Sequence, residues 1–97
     1  MTAYWLARAR IDDPTEYKKY TEQVPAIVAA HGGKVLARGG RFKVLEGTDR
    51  FSRFVVIEFP SLEQAVACHD SPEYAAASAY RKAAGVGEVE LAIVEAL

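Results

Sequence analysis

Two ionisable side chains have the chemistry of proton-transfer groups. Glu58 shares one face of the alternating segment 53–59 with Phe54 and Val56, and a carboxylate in apolar surroundings must be paired, hydrogen-bonded or protonated. His31 precedes two glycines that let a ligand approach, and an imidazole can act as a general base near neutral pH. The sequence therefore indicates Glu58 and His31 as candidate catalytic acid–base residues.

Both residues also have a structural interpretation. Glu58 could form an ion pair with Arg8 or Arg38, which lie on segments that we expect to neighbour it, and such a pair would fix a dimer. His31 falls at the predicted end of a helix, where an imidazole can bond to free backbone carbonyls and interact with the helix dipole. The sequence alone leaves both alternatives open.

Arginine and tyrosine side chains are the candidate binding groups. Arg38 and Arg8 could hold a carboxylate or an enolate. Hydrogen bonds to a substrate carbonyl could come from Tyr17, Tyr20, Tyr74 and Tyr80, of which Tyr74 and Tyr17 are the predicted binding residues. Gly39-Gly40 follows Arg38, and a β-bulge there would aim that side chain toward a cavity. The structural alternative is that the tyrosines, at helical spacing, are core or interface residues with one satisfied hydroxyl each.

We predict no cofactor. The sequence contains neither a histidine pair at metal-binding spacing nor a CxxC motif. His69 lies at a break between helical segments, and a haem would find only His31 as an axial ligand. The run from Arg38 to Arg41 has neither the GxGxxG nor the GxxxxGK spacing of a nucleotide-binding loop.

Composition restricts the class of protein. The 97 residues suit a single domain spanning 1–97, and 12 basic against 13 acidic side chains give a net charge of −1. This balance argues against nucleic-acid and membrane-surface partners, and no apolar run approaches the ~20 residues that span a bilayer. The single cysteine, Cys68, excludes an internal disulfide. With no basic and apolar leader visible, we expect a cytoplasmic location.

Hydrophobic periodicity predicts six elements in the order strand, helix, strand, strand, helix, strand. The strands are segments 3–11, 33–47 (interrupted at Gly39-Gly40), 53–59 and 88–94. The first helix starts at Asp13-Pro14 and bends at Pro25, and the second starts at Ser61 and restarts at Ser71. This order is that of the α+β, ferredoxin-like βαββαβ sandwich, with a four-stranded antiparallel sheet and two helices on one face.

The uncovered face of that sheet predicts self-association. It would carry Leu6, Phe54, Val56 and either Tyr4 or Trp5. An apolar patch of this size on a small monomer usually marks an interface, and a two-fold homodimer would bury it. We expect Arg41, Lys43, Arg50 and Arg53 to form a solvated hairpin edge that discourages sheet-to-sheet aggregation.

The chain resembles the domain-of-unknown-function family 1330, a bacterial branch of the dimeric α/β-barrel superfamily. The matching residues are Tyr4, Asp13-Pro14, Tyr17, Tyr20, His31-Gly32-Gly33, Arg38-Gly39-Gly40, Glu46-Gly47, Glu58-Phe59-Pro60-Ser61, Ser71-Pro72-Glu73-Tyr74 and Arg81. The resemblance implies a ferredoxin-like fold and a dimer whose two sheets close into a barrel. It implies no activity, because relatives in the superfamily include cofactor-free monooxygenases, lactone isomerases, haem-degrading enzymes and plain binding or stress proteins.

Two functional hypotheses follow, from different classes. The first is a small cofactor-independent enzyme, isomerase-like or monooxygenase-like, acting on a carbonyl, carboxylate or aromatic metabolite held around Glu58, Arg38, His31 and Tyr74 in one cavity. The second is a non-catalytic dimer that binds a small anionic or apolar ligand, or another protein, in a structural or stress-related role. Its support is the absence of a complete catalytic motif.

Overall fold

The computed structural model describes residues 1–97, and its strands and helical segments follow one another in the predicted order. The predicted helices are each divided into two, so that four strands and four helices are present. They are β1 (Ala3–Ile11), α1 (Pro14–Thr21), α2 (Val24–Ala30), β2 (Lys34–Arg38), β3 (Arg53–Phe59), α3 (Leu62–Asp70), α4 (Pro72–Lys82) and β4 (Gly87–Glu95).

The four strands form one sheet with the order β2-β3-β1-β4, and every neighbouring pair is antiparallel. Trp5 at the centre of β1 lies opposite Ile57 of β3 and Ile93 of β4. Because side chains alternate between the faces of a sheet, these three residues share one face. The arrangement confirms the predicted ferredoxin-like fold.

Short polar side chains define where the helices begin. The carboxylate of Asp13 accepts a hydrogen bond from the backbone N–H of Glu16 at 3.2 Å, and the Ser61 hydroxyl accepts one from Gln64 at 3.1 Å. Ser71 ends α3 and begins α4, because its hydroxyl donates to the carbonyl of Cys68 and accepts from the N–H of Tyr74. Each contact satisfies a backbone group that a helix end leaves free.

The first helical segment differs from the prediction at Pro25. We expected one helix with a bend, whereas the chain leaves α1 after Thr21 and starts α2 at Val24. Pro25 then occupies the first turn of a new helix, where its missing N–H removes no hydrogen bond. The break therefore avoids the energetic cost of a proline in a helix interior.

The second predicted strand is much shorter than the segment 33–47. It ends at Arg38, and residues 39–52 lie outside the sheet. Gly39 has a φ of +64°, a left-handed conformation that turns the chain away from the strand direction. Phe42, predicted as a strand residue, instead contacts the ring of Phe54 at a centroid distance of 5.1 Å.

The core lies between the helices and one face of the sheet. Its main cluster joins strand residues to residues of α2, α3 and α4, namely Trp5, Val28, Ile57, Phe59, Ala65, Cys68 and Tyr74. Trp5 is therefore a core residue, which settles the alternative between Trp5 and Tyr4 on the uncovered face. None of the helices is both long and apolar enough to cross a bilayer.

The opposite face of the sheet has no helical cover. We call it the open sheet face, and its apolar residues are Tyr4, Leu6, Phe54, Val56, Ala92 and Val94. Leu6 on a central strand is 43% exposed. An apolar side chain at the centre of a sheet is normally covered by another layer.

Candidate ligand-binding cleft

A cleft lies between the sheet and the first two helices. Trp5, Val55 and Ile57 of the sheet form its floor, and Tyr17, Tyr20 and Val24 line it from α1 and α2. Its volume is about 50 Å³, several times the roughly 10–15 Å³ that one water molecule requires. The cleft therefore has room for more than one water-sized group.

The strands β2 and β3 each contribute one arginine to the lining of the cleft. Arg38 is exposed, Arg53 is partly buried, and no acidic residue lines the cleft. Neither arginine forms an ion pair or a side-chain hydrogen bond with another residue of the chain. The cleft therefore combines apolar walls with uncompensated positive charge, the combination that suits an anion attached to an apolar body.

An irregularity in β2 places Arg38 on this face of the sheet. Val35 pairs with Ile57, but the register then shifts, so that Ala37 pairs with Val56 and Arg38 with Val55. One extra residue on a strand reverses the face on which all later side chains lie. Strict alternation from Val35 would have put Arg38 on the open sheet face. The predicted bulge near Arg38 is present, before Ala37 rather than at Gly39-Gly40.

Sequence reasoning missed the role of Arg53 in the cleft. We expected a solvated edge residue, but Arg53 shares the helix-covered face with Val55 and Ile57, and the alternation of β3 could have revealed this. Gly39 leaves room for it, since a Cβ atom at that glycine would lie 2.7 Å from Nη1 of Arg53. A side chain at residue 39 would displace the guanidinium.

A buried hydrogen-bonded group lies beneath the cleft. The hydroxyl oxygens of Tyr20 and Tyr74 are 2.7 Å apart, and Nη2 of Arg81 donates to the Tyr74 hydroxyl at 3.2 Å. Arg81 is only 8% exposed, and its Nε has no hydrogen-bond partner. Burial raises the pKa of Tyr17, and burial together with the Tyr74 hydroxyl raises the pKa of Tyr20. These phenols keep their protons at neutral pH.

Aromatic rings rather than carboxylates surround the Arg81 guanidinium. Its central carbon lies 5.0 Å from the ring centroid of Tyr20 and 5.9 Å from that of Tyr74. Cation–π contacts of this kind stabilise a guanidinium, but they leave its net charge uncompensated. The sequence analysis assigned Arg81 no functional role, because its burial depends on how α4 packs.

The two arginines of β1 and Arg50, which precedes β3, are paired with acids. Arg8 bonds Glu90 at 2.6 Å, Arg10 bonds Glu88 at 2.9 Å, and Arg50 bonds Glu88 at 3.1 Å. The hydrogen bond from Arg50 lowers the pKa of Glu88. Charge is thus balanced along β1 and β4, whereas it is unbalanced at the cleft.

The structure does not gather the predicted site residues around one point. Arg38 and Tyr17 line the cleft, and the β1 residue Arg8 forms part of its wall while its guanidinium binds Glu90. Tyr74 is fully buried below the cleft and reaches it only through Tyr20.

Glu58 and His31 lie outside the cleft. Glu58 faces Tyr4 and Lys34 across the sheet, and it does not form the ion pair with Arg8 or Arg38 that the sequence left open as an alternative. His31 ends α2, and its Nδ1 lies 2.9 Å from the carbonyl oxygen of Ile27. That contact is the helix-end geometry of the structural alternative.

The chain has no group of three or more histidine, cysteine and carboxylate residues close enough to hold an ion. Nδ1 of His69 bonds the adjacent carboxylate of Asp70 at 2.9 Å. Cys68 is buried in the core, which raises the pKa of its thiol to about 11.

Sequence comparison assigns the chain to a family. The family model described as domain of unknown function DUF1330 matches residues 2–97, so the protein belongs to that family. The match confirms the resemblance noted from the sequence. Among curated proteins, none matches the chain.

Several solved structures share the fold. A protein of unknown function from Rhodopseudomonas palustris, RPA0582, has 22% identity and a TM-score of 0.77, covering 99% of this chain and 82% of that one. SnoaB, a cofactor-independent oxygenase from Streptomyces nogalater, has 14% identity and a TM-score of 0.65, with 99% and 93% covered. A dimeric ferredoxin-like protein of unknown function from Jannaschia sp. CCS1 has 15% identity and a TM-score of 0.66, with 99% and 100% covered.

Proposed function

We propose that the protein binds a small anionic metabolite with an aromatic or carbonyl-bearing body in the cleft between α1, α2 and the sheet. The observation that carries this proposal is the charge imbalance there. Arg38 and Arg53 line the cleft and Arg81 lies beneath it, and none of the three has a carboxylate partner. A bound carboxylate would supply the missing negative charge.

The physical case begins with the cost of an unpaired guanidinium near the protein interior. A buried charge is expensive unless it is paired and hydrogen-bonded, and this chain leaves Arg81 buried without an acid. Arginine matches a carboxylate in both charge and planar geometry. Arg38 and Arg53 would hold that carboxylate at the solvent end, while Tyr17 and Val24 enclose the apolar part.

We further propose that the protein is a homodimer formed through the open sheet face. A groove on that face is lined by apolar residues of three strands, including Leu6, Phe54, Val56 and Ala92. Burying them against a second copy removes apolar surface from water, the main favourable contribution in association. The dimeric protein from Jannaschia has the same fold.

Catalysis is the second candidate. Its support is the fold shared with the cofactor-independent oxygenase SnoaB, together with the Tyr20 side chain that lines the cleft. Of the side chains lining the cleft, only tyrosine and threonine hydroxyls could take part in proton transfer, since no carboxylate or imidazole lines it. Isomerase-like or monooxygenase-like chemistry would therefore depend on these hydroxyls rather than on His31 or Glu58.

The test uses para-ethylbenzoate as the probe and its neutral amide as the comparison. Isothermal titration should detect binding of the carboxylate and much weaker binding of the amide. We expect Arg38→Gln and Arg53→Gln each to weaken binding of the carboxylate by about tenfold or more, since hydrogen bonds to charged groups contribute roughly 1.5–3 kcal/mol.

Arg41→Gln is the matched control, because Arg41 is an exposed arginine without an acidic partner that does not line the cleft. It should bind as the unmodified protein does. Failure of the protein to bind the carboxylate, or equal loss in the Arg41→Gln variant, would contradict the proposal. Mass spectrometry of the incubated probe in air shows whether turnover accompanies binding, which would favour the catalytic candidate.

A further inference from the structure

Three side chains form a continuous hydrogen-bonded chain from the core to the cleft. Nη2 of Arg81 donates to the Tyr74 hydroxyl at 3.2 Å, and that hydroxyl lies 2.7 Å from the hydroxyl of Tyr20. Tyr74 is 0% exposed, whereas Tyr20 is partly buried and lines the cleft. Of these three side chains, only Tyr20 can contact a ligand in the cleft.

The donor and acceptor roles along this chain follow from the chemistry of its members. A guanidinium can only donate, so the Tyr74 oxygen accepts from Arg81. The hydroxyl hydrogen of Tyr74 is then buried, and the Tyr20 oxygen is the acceptor within hydrogen-bond distance. In the reverse arrangement, with Tyr20 donating, the Tyr74 hydrogen would be buried without an acceptor, which is energetically unfavourable.

This direction of the hydrogen bonds, from Arg81 through Tyr74 to Tyr20, leaves the hydroxyl hydrogen of Tyr20 without an acceptor in the protein. If Tyr74 donates to Tyr20, the hydroxyl hydrogen of Tyr20 is free, because the other polar side chain beside it, the Arg81 guanidinium, can only donate to the Tyr20 oxygen. The positive charge of Arg81 polarises both hydroxyls in the same sense, and hydrogen bonds in series strengthen one another. Tyr20 is thereby prepared to donate to an oxygen atom inside the cleft.

We infer that Arg81 and Tyr74 act as positioning residues that orient the Tyr20 hydroxyl as a donor to a carbonyl oxygen of the bound ligand. The inference rests on the proposed function and narrows its ligand class to oxo-carboxylates. Such a molecule carries a carboxylate for Arg38 and Arg53 and a ketone or aldehyde oxygen for Tyr20. The cleft between them is apolar, which suits a flat hydrocarbon linker.

Two probes that differ in one group test this inference. Para-acetylbenzoate and para-ethylbenzoate share the carboxylate and the ring, but only the acetyl compound has a carbonyl oxygen. We expect the protein to bind the acetyl compound about fivefold more tightly, the range of one neutral hydrogen bond. Tyr20→Phe and Tyr74→Phe should bring this ratio close to one, while Tyr20→Phe retains affinity for the ethyl compound.

Tyr80→Phe is the matched control, since Tyr80 is an exposed tyrosine on α4 outside this network. It should keep the fivefold ratio. The infrared carbonyl band of bound para-acetylbenzoate gives a second readout, because a hydrogen bond from Tyr20 lowers its frequency and Tyr20→Phe should restore it. If Tyr20 served only to stabilise the fold, Tyr20→Phe would leave the carbonyl frequency of the bound probe unchanged.

The outcomes separate this inference from the proposed function. If neither probe binds to the unmodified protein, the proposed function itself is contradicted. If both bind with equal affinity, the ligand cleft stands and the oriented-donor inference is overturned. A Tyr80→Phe variant that also loses the ratio, or a carbonyl band unaffected by Tyr20→Phe, would likewise overturn it.

Discussion

Arg38 and Glu58 lie on opposite faces of the sheet, although their strands are direct neighbours. Arg38 is opposite Val55, on the face covered by helices, whereas Glu58 is opposite Lys34 on the open sheet face. The register shift between Val35 and Ala37 causes this separation. The cleft therefore contains the Arg38 guanidinium while no acidic residue lines it, and this charge asymmetry is the basis of the proposed anion binding.

Substitution of His31 should lower the stability of the protein without affecting ligand binding, and substitution of Arg38 should do the reverse. His31→Ala removes the contact between Nδ1 and the Ile27 carbonyl, so we expect a loss of about 0.5–1.5 kcal/mol in the free energy of unfolding. Binding of para-ethylbenzoate should be unchanged. Arg38→Gln should give the opposite result, with weakened binding and stability within about 0.5 kcal/mol. Urea unfolding and titration calorimetry measure the two quantities, and lost binding in His31→Ala would contradict this separation.

A side chain at residue 33 should destabilise the folded protein. A Cβ atom there would lie 2.5 Å from Cγ1 of Val28 and 2.8 Å from Cε1 of Phe59, both in the core cluster. We expect Gly33→Ala to lower the free energy of unfolding by about 1–3 kcal/mol, as overpacked cores do. Gly40→Ala is the control, because no atom lies within 4 Å of the corresponding position. Equal urea midpoints for the two variants would contradict this close packing of Val28 and Phe59 around Gly33.

The open sheet face should control the oligomeric state. Sedimentation at micromolar concentration should give a particle of twice the 10.6 kDa chain. Leu6→Asp places a charge on that face and should yield monomers, since an unpaired charge at an apolar interface is costly. Val66→Asp should remain dimeric, because Val66 lies on α3 and is 42% exposed against 43% for Leu6. An unmodified protein that sediments only as a monomer would refute the homodimer.

Cys68 should make stability fall at alkaline pH. Burial raises the pKa of its thiol from the ordinary value of 9.0 to about 11. The unfolded chain therefore ionises first, so the stabilisation is complete below about pH 9 and is lost as pH rises toward 11. We expect the free energy of unfolding of Cys68→Ala to decline less steeply across this window, by up to ~1.4 kcal/mol per pH unit. Parallel declines would show that the thiol ionises equally in both states.

Local sequence signals predicted most of the fold. Asp13, Ser61 and Ser71 begin helices as expected, because a helix start needs only a side-chain acceptor beside free N–H groups. The alternation in segments 3–11 and 53–59 predicted the two central strands, since one of their faces is buried under helices. The prediction of a strand over 39–47 was wrong. The valine and leucine of this segment favour strands, but Gly39 turns the chain out of the sheet.

The candidate site depended on information that is not local. The side on which Arg38 lies depends on a one-residue register shift, and periodicity does not reveal where a strand pair will absorb an extra residue. The contact between the hydroxyls of Tyr20 and Tyr74 joins residues 54 positions apart. Arg81 is one basic residue among many in the sequence, and only the packing of α4 against α1 buries it without a carboxylate.

By itself, then, the sequence determined the order of the elements, the apolar character of both sheet faces and the family, because each of these depends on neighbouring residues or on residue type. The tertiary structure decided which charges are paired and which are not. That distinction depends on distances between segments remote in the chain, and it is what turns ordinary arginines and tyrosines into a candidate binding cleft.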